Sequence, residues 1–256
     1  MISIIIPSHK EKELQQTIDS LLTGAKGEVE VIAVMDGYWA NPPLKADPRV
    51  HIIHHGKSRG MRSSINAGVS LAKGKYILKT DAHCMFAPGW DEALLSEIED
   101  KWVVYPRMFK LDTIKWEVMP DKPIDYYRLT ILEDRSKFHG VEWISRGKQR
   151  KDIMVDESMI FQGSCWIMSR KLWDKVVGPL QEEGYGKFVQ EPTEIAMKVW
   201  QSGGKVMVNK KTWYAHKHRK FNRTHHVTRE EQDAGNVFAL NYWKDQYQVL
   251  KERFGI

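Results

Sequence analysis

The sequence contains little cysteine, no long apolar run and no low-complexity tract. Its two cysteines, Cys84 and Cys165, are too few for a disulfide framework and lack metal-site spacing, which favours a reducing compartment. No segment reaches the about 18 consecutive apolar residues of a membrane helix, and the apolar run at residues 2–6 has neither a preceding basic region nor a cleavage site. No repeat or linker divides the chain, so we expect one soluble, cytoplasmic domain over residues 1–256.

The composition excludes a disordered chain, because 42% of the residues are hydrophobic and 11% are aromatic, which is enough for a packed core. Lys and Arg number 39 against 33 Asp and Glu, and two segments contain no acid: residues 145–151 (SRGKQRK) and 216–229 (HKHRKFNRTHHVTR). Such a segment fits a surface that binds phosphates, and it also fits an ordinary solvated loop. The charge alone leaves both interpretations open.

Apolar strands and amphipathic helices alternate through the first third of the chain. Apolar runs predict strands, and helical spacing of apolar residues predicts helices, in the order strand 2–6, helix 14–24, strand 29–35, strand 50–53, helix 62–71 and strand 76–78. This order is typical of an α/β fold with an open, mostly parallel sheet flanked by helices. Ligands of such sheets collect at the carboxyl ends of strands, where Pro7, Asp36 and Asp81 lie.

The pattern becomes less regular towards the middle of the chain. Between residues 110 and 160 the periodicity fades, which predicts an irregular region that forms a lid, an acceptor platform or plain surface. Regular elements are predicted on both sides of it: a helix at 89–98, strands at 102–108, 163–168 and 205–208, a helix at 191–200 and a long C-terminal helix at 229–253.

The segment LKTDAHCM, residues 78–85, ends an apolar strand with an acid and a histidine two residues apart. Residues i and i+2 of an extended segment point to the same side, so Asp81 and His83 present one oxygen and one nitrogen to a single point. That pair suits a divalent cation. The simpler alternative is a strand that ends in polar residues at the surface, since D-x-H is common by chance.

Taken in order, these segments resemble the nucleotide-sugar glycosyltransferases of the GT-A fold, of the family 2 type, with local similarity to polypeptide N-acetylgalactosaminyltransferases. The matching segments are IIIPSHKE, VIAVMDG, GMRSSINAGVSLAKGKYILKTDAHC, GWDEALL, GSCWIMSR, QEPTEIAMKVWQSGG and AHKHR. The resemblance implies a Rossmann-like fold with a nucleotide-sugar-binding half at 1–109, an acceptor and catalytic half at 110–228 that contains the irregular region, and a C-terminal helix at 229–256.

The resemblance also implies a metal site. Asp81 and His83 take the D-x-H form of the family's metal motif, and His216 and Arg219 keep the spacing of a G-H-x-F-R segment whose histidine is the third metal ligand. The expected ligands are therefore Asp81, His83 and His216. Asp36 corresponds to the acid that holds the base of the donor nucleotide.

The chemistry of the donor supports this interpretation. A nucleoside diphosphate leaves readily only if its growing negative charge is neutralised, so a bridging divalent ion acts as a Lewis acid. Two nitrogen ligands beside one carboxylate suit Mn²⁺ better than Mg²⁺. We expect a UDP-sugar donor with Mn²⁺, or else Mg²⁺, with Pro7 at the donor site and Arg62 or Arg219 in bidentate contact with the phosphates.

The catalytic base is where the chain departs from the family pattern. Inverting members carry an E-D dipeptide whose acid deprotonates the acceptor, but Pro192 follows Glu191 here. Glu191 and Glu194 match the two acids of a G-E-N-x-E segment, and either one takes over as base, or the enzyme retains the anomeric configuration with help from the leaving phosphate. The similarity to the N-acetylgalactosaminyltransferases favours retention.

The acceptor hydroxyl is open between two classes. The acid-free segments and several tryptophans suit DNA that carries a hydroxymethylated base, as in viruses that glycosylate their own DNA in the host cytoplasm. Family resemblance instead suggests a surface polysaccharide or glycolipid. A function of another class is a noncatalytic nucleic-acid-binding protein that kept the fold, although the intact D-x-H motif argues against it.

Overall fold

The computed structural model describes residues 1–132, 136–218 and 227–256. The first part of the chain follows the predicted order closely. Its elements are β1 (Ile2–Ser8), α1 (Leu14–Gly24), β2 (Val29–Asp36), β3 (Val50–His55), α2 (Met61–Leu71), β4 (Tyr76–Thr80), β5 (Cys84–Phe86) and α3 (Trp90–Leu95).

The second part contains more regular structure than its sequence pattern predicts. Its elements are β6 (Trp102–Asp112), β7 (Glu117–Val118), β8 (Tyr127–Leu132), β9 (Lys137–Glu142), α4 (Ile144–Gln149), β10 (Val155–Glu157), β11 (Cys165–Ser169), α5 (Arg170–Leu172), α6 (Glu191–Gln201), β12 (Lys205–His216) and α7 (Arg229–Phe254). A π-helical turn, Trp173–Val177, follows α5.

One large sheet forms the centre of the molecule, with the strand order β10-β12-β6-β11-β4-β1-β2-β3. The strands β4, β1, β2 and β3 are parallel to one another, and β12 is parallel to β6. The strand β11 runs antiparallel between β4 and β6 and joins the two parallel groups. The predicted α/β fold with a mostly parallel sheet is therefore confirmed.

The central strands are mostly apolar because both of their faces are covered, and the buried polar pair Ser3 and Glu30 is joined by a hydrogen bond. Ile4, Ile5 and Ile6 of β1 are fully buried, and every residue of β2 is buried. The helix α1 buries a single face that includes Leu14, Ile18 and Leu21. These layers hold the carboxyl ends of β1, β2 and β4 at one edge of the sheet.

Two predicted regions differ from the structure. The stretch predicted as irregular contains an antiparallel hairpin, β8–β9, whose Phe138 packs edge-on against Tyr247 of α7 with ring centroids 5.3 Å apart. The strand predicted at 205–208 continues to His216, because β12 resumes its pairing with β6 after an irregularity between Asn209 and Trp213. His216 therefore ends a core strand.

The C-terminal helix α7 spans 26 residues and begins with a capping box in which Thr228 and Glu231 exchange hydrogen bonds. It buries Trp243, Tyr247 and Leu250 against the body of the protein. Within residues 1–132, 136–218 and 227–256, no helix has both the length and the apolar character needed to cross a membrane.

Candidate active site

A cavity of about 520 Å³ opens at the carboxyl ends of β1, β2 and β4. Six of the residues that the sequence singles out line it: Pro7, Asp36, Asp81, His83, Glu191 and His216. Its other side is formed by the β8–β9 hairpin and by residues of α7, including Gln232 and Asn236. The predicted irregular region thus supplies one wall of the cavity, through an ordered hairpin.

Asp81, His83 and His216, here called the acid–histidine cluster, converge on one point. His83 Nε2 lies 3.1 Å from His216 Nε2, and Asp81 Oδ2 lies 3.3 Å from His216 Nε2 and 3.9 Å from His83 Nε2. Ligands at about 2.1 Å from one ion, on neighbouring coordination positions, are roughly 3.0–3.5 Å apart. The cluster therefore fits a single divalent cation with a shift of a few tenths of an ångström.

Strand pairing brings the cluster together. Asp81 follows β4, and its backbone N–H donates to Ser164 O at 2.9 Å, next to the β4–β11 pairing. The strand β5 pairs antiparallel with β12, with Cys84 opposite His216. This register sets His83 beside the end of β12, and Lys217 N donates to His83 O at 3.2 Å.

Two side chains that the sequence interpretation missed contact the residues of the cluster. Lys79 Nζ donates to Asp81 Oδ1 at 2.7 Å, and Glu11 Oε2 lies 3.3 Å from His83 Nδ1. His83 Nδ1 has no hydrogen-bond partner among the described residues, so the Glu11 carboxylate acts on the ring through its charge. A lysine inside an otherwise apolar strand was the one sequence signal for Lys79, and Glu11 carried no comparable signal.

The electrostatics of the cluster suit a cation. Burial alone would raise the pKa of Asp81, but the Lys79 ammonium and the hydrogen bond from His216 hold it well below its usual range. Burial lowers the pKa of His216 to about 4, despite the neighbouring Asp81 carboxylate. At neutral pH the cluster therefore offers an ionised carboxylate and a neutral His216 imidazole, the forms that bind metal ions.

Glu191 begins α6 and lines the same cavity. Its side chain is fully buried, and Trp166 Nε1 donates to its Oε1. Its Oε2 has no hydrogen-bond partner among the described residues, and burial raises the pKa of this carboxyl although Lys79 opposes the shift. A Cβ atom at Gly163 would approach this oxygen to 2.6 Å, so the glycine leaves space for it.

Glu194 and Arg62 are placed away from the cavity wall. They form an ion pair in which the side chains are 1% and 0% exposed. Arg62 also donates from Nε and Nη2 to Val189 O and from Nη1 to Gln181 O, and its guanidinium lies 4.0 Å from the Tyr185 ring centroid. All three guanidinium nitrogens are engaged by the protein itself, and the structure does not bring Arg62 to the acid–histidine cluster.

Asp36 forms hydrogen bonds with the loop that follows β3. Its carboxylate accepts from Arg59 N and Gly60 N at 2.7 and 2.9 Å and from Ser58 Oγ at 2.7 Å, and it lies 3.0 Å from His55 Nδ1. Burial opposes ionisation, but these partners together lower the pKa of Asp36. The carboxylate that was predicted to hold the nucleotide base thus organises the loop after β3.

Arg219, the second predicted phosphate ligand, lies outside the described residues, as do residues 220–226 of the basic segment. In the other basic segment, residues 145–151, two arginines bind groups within the protein. Arg150 donates to Asp156 through Nε and Nη2, and Arg146 donates to Glu157 O at 2.9 Å. These two arginines therefore help to fix α4 against β10.

The fold is of the GT-A type, and the cavity lies at the carboxyl ends of its parallel strands. Residues 3–177 match the model of glycosyl transferase family 2, and the chain belongs to this family. A solved structure, GalNAc-T7 with UDP, GalNAc and Mn²⁺, superposes with a TM-score of 0.72 at 19% identity, over 96% of this chain and 49% of that one. This likeness confirms the predicted GT-A fold.

Two of the curated relatives are polypeptide N-acetylgalactosaminyltransferases by name. The chain is 26% identical over 237 residues to a putative polypeptide N-acetylgalactosaminyltransferase 13 of Drosophila melanogaster, over 81% of this chain and 40% of the relative. It is 25% identical over 273 residues to polypeptide N-acetylgalactosaminyltransferase 4 of Mus musculus, over 98% of this chain and 44% of the relative. The chain thus spans less than half the length of these relatives.

Proposed function

We propose that this protein transfers a sugar from a UDP-sugar to an acceptor hydroxyl with the help of Mn²⁺. The observation that carries the proposal is the acid–histidine cluster, three potential ligands from β4–β5 and β12 that meet in one cavity. The structural neighbour with UDP and Mn²⁺ supports both the donor and the ion. We assign residues 1–109 to donor binding, residues 110–228 to the acceptor and the chemistry, and residues 229–256 to a supporting helix.

Asp81, His83 and His216 would hold the metal through Oδ2 and the two Nε2 atoms. When bound, the ion supplies positive charge to the donor diphosphate as the bond to the sugar breaks. Lys79 holds the carboxylate ligand, and Glu11 lies against the outer nitrogen of one histidine. Two nitrogen donors favour Mn²⁺ over Mg²⁺, which prefers oxygen ligands and retained water.

Glu191 is the carboxylate that we assign to the transfer step. Asp36 and Asp81 both have close partners in the protein, and Glu194 is buried against Arg62. Glu191 lines the cavity, its Oε2 has no hydrogen-bond partner among the described residues, and its raised pKa suits a group that accepts a hydrogen bond from a hydroxyl. Because Pro192 replaces the second acid of the inverting motif, we infer retention of the anomeric configuration. NMR of the freshly formed product reports that configuration directly.

We consider two acceptor classes: a glycan or glycolipid, and DNA with a hydroxymethylated base. The names of the curated relatives support transfer of an amino sugar, and their acceptors are polypeptides by name. Lys137 and Lys217 line the cavity and add positive charge that favours an anionic acceptor such as DNA. Against this, Lys217 forms an ion pair with Glu13.

The deciding experiment offers labelled UDP-glucose, UDP-galactose and UDP-N-acetyl sugars with Mn²⁺ to hydroxymethylcytosine DNA, plain DNA and a glycan panel. Label transfer, or slow hydrolysis of one donor, that is lost with chelator and restored by Mn²⁺ supports the proposal. If no donor is consumed while the protein binds DNA, the noncatalytic alternative is correct. Transfer to DNA that weakens steeply with salt, at a log–log slope of roughly 0.9 per phosphate contact, identifies the nucleic-acid acceptor.

For a DNA acceptor, the sharpest variant replaces Lys220 and Arg223 together, two positions that lie outside the described residues. The double alanine variant is expected to flatten the salt slope by about one to two units and to leave UDP binding unchanged. A glycan acceptor instead predicts turnover that does not depend on salt. The cytoplasmic location inferred from the cysteine content stays a prediction that cell fractionation tests.

A further inference from the structure

Lys79 is the one lysine of β4, and its side chain is 1% exposed. Lysine is among the residues least often buried, because its ammonium loses its hydration in the interior unless partners replace the water. Here Nζ donates to Asp81 Oδ1 at 2.7 Å and to Gly163 O at 2.6 Å. The ammonium is therefore fixed between the cluster and the loop that precedes β11.

The two oxygens of Asp81 have different partners. Oδ1 accepts from Lys79, whereas Oδ2 lies 3.3 Å from His216 Nε2 and faces the point where the cluster converges. Rotation of the carboxylate would break its hydrogen bond to a buried ammonium, which is costly in the protein interior. The orientation that presents Oδ2 to an ion is thus held by Lys79.

We propose that Lys79 is a positioning residue for the metal site: it holds Asp81 so that one carboxylate oxygen faces the ion and the other stays on the ammonium. This inference rests on the proposed function, because it assumes that the acid–histidine cluster binds Mn²⁺. Lys79 itself is not a ligand. It acts through Asp81, as outer-shell partners of metal ligands commonly do.

The test compares Lys79→Met with the unchanged protein by Mn²⁺ titration without nucleotide, following the free Mn²⁺ signal by electron paramagnetic resonance. Methionine keeps the length of the side chain and removes its charge and its hydrogen bonds. We expect Mn²⁺ to bind about 10- to 100-fold more weakly, the usual effect of losing an outer-shell partner. The Mn²⁺ concentration for half-maximal turnover should rise by the same factor, while the rate at saturating Mn²⁺ changes little.

Lys75→Met is the matched control, because Lys75 lies just before the same strand and its ammonium is placed 5.4 Å from the Tyr76 ring centroid. It makes the same charge change at the far end of β4 and is expected to leave Mn²⁺ binding unchanged. A second arm introduces Lys79→Met into an Asp81→Ala background. If Lys79 acts through Asp81, it should have little further effect there, since the alanine background has no oxygen left for Lys79 to hold. If Lys79→Met does not fold, Lys79→Gln replaces it with the same expectation.

The outcomes separate this inference from the proposed function. If the unchanged protein does not bind Mn²⁺, the metal-dependent function itself fails. If it binds Mn²⁺ and folded Lys79→Met binds equally well or more tightly, then Lys79 is a core residue or merely opposes the cation, and the positioning role is overturned. An equal loss in the single variant and in the Asp81→Ala background would overturn it as well.

Discussion

The Nε2 atoms of His83 and His216 lie 3.1 Å apart although 133 residues separate them in the chain. Their rings are tilted by 35° with centroids 4.9 Å apart, so the two nitrogens meet at their edges and the rings do not stack. Two neutral imidazoles can share only one hydrogen bond along this line. A cation between them and Asp81 would use both lone pairs, which is why this contact is the centre of the candidate site.

His216→Ala is expected to weaken Mn²⁺ binding by at least about 100-fold, because it removes a ligand itself and not an outer-shell partner. His218→Ala is the matched control, since the His218 ring lies only 5.1 Å from that of His216 but is outside the cluster. Calorimetric titration with Mn²⁺ measures both. If His218→Ala weakens Mn²⁺ binding and His216→Ala does not, then His218 is the third ligand.

Glu191→Gln is expected to lower kcat by about 10²- to 10⁴-fold, the range for loss of a group that handles a proton or a developing charge. Glutamine keeps the volume and can still accept from Trp166, so the fold and the Mn²⁺ affinity should be unchanged. Steady-state kinetics with a saturating donor and acceptor test this. A kcat within a factor of about three of the parent would remove Glu191 from the chemistry.

Glu194→Gln is expected to change stability and not chemistry. It leaves the Arg62 guanidinium buried without its carboxylate, a change that typically costs about 3–5 kcal/mol of unfolding free energy. Glu92→Gln is the control, because the same change there breaks an ion pair with Lys26 whose side chains are both 62% exposed, which should cost less than about 1 kcal/mol. Urea unfolding measures both. Equal stabilities for the two variants would contradict the assignment of Glu194 to the core.

Asp36→Asn is expected to lower the unfolding free energy at pH 7 by about 1.5–3 kcal/mol, because an amide replaces a charged acceptor of several hydrogen bonds. The pKa of Asp36 in the folded protein lies below its ordinary value of 3.8, so its ionised form stabilises the fold above that pH. This stabilisation is lost as the pH falls through the folded pKa. The difference between the parent and the variant should therefore shrink at acid pH.

Unfolding curves recorded between about pH 2.5 and pH 7 test this dependence. Asp245→Asn, a change on the exposed side of α7, is the control and should alter the unfolding free energy at pH 7 by less than about 0.5 kcal/mol. If the difference in unfolding free energy between Asp36→Asn and the parent stays constant with pH, then the hydrogen bonds to Asp36 do not lower its pKa in the folded protein.

Much of the first part of the fold could be predicted because its signals are local. A strand buried on both faces is predominantly apolar, and the five-residue run at Ile2–Ile6, in which only Ser3 is polar, lies within β1 (Ile2–Ser8). The hairpin β8–β9 was not predicted, since β9 buries only Phe138 among polar residues and a glycine, and that side chain packs against Tyr247 of α7. The end of β12 was missed for a similar reason: Asn209, Lys210 and Thr212 are polar but buried.

The sequence by itself determined that an acid and a histidine at the end of a strand would face the same side, because the geometry of an extended backbone fixes the direction of residues two apart. The family resemblance added His216 as an expected ligand, and the tertiary structure brought it to Asp81 by strand pairing. Only the tertiary structure decided that Lys79 holds Asp81 and that Arg62, which the sequence interpretation had expected at a phosphate, pairs with Glu194 away from the cavity wall. The physical reason is that a buried charge must have a partner, and packing of distant segments selects that partner.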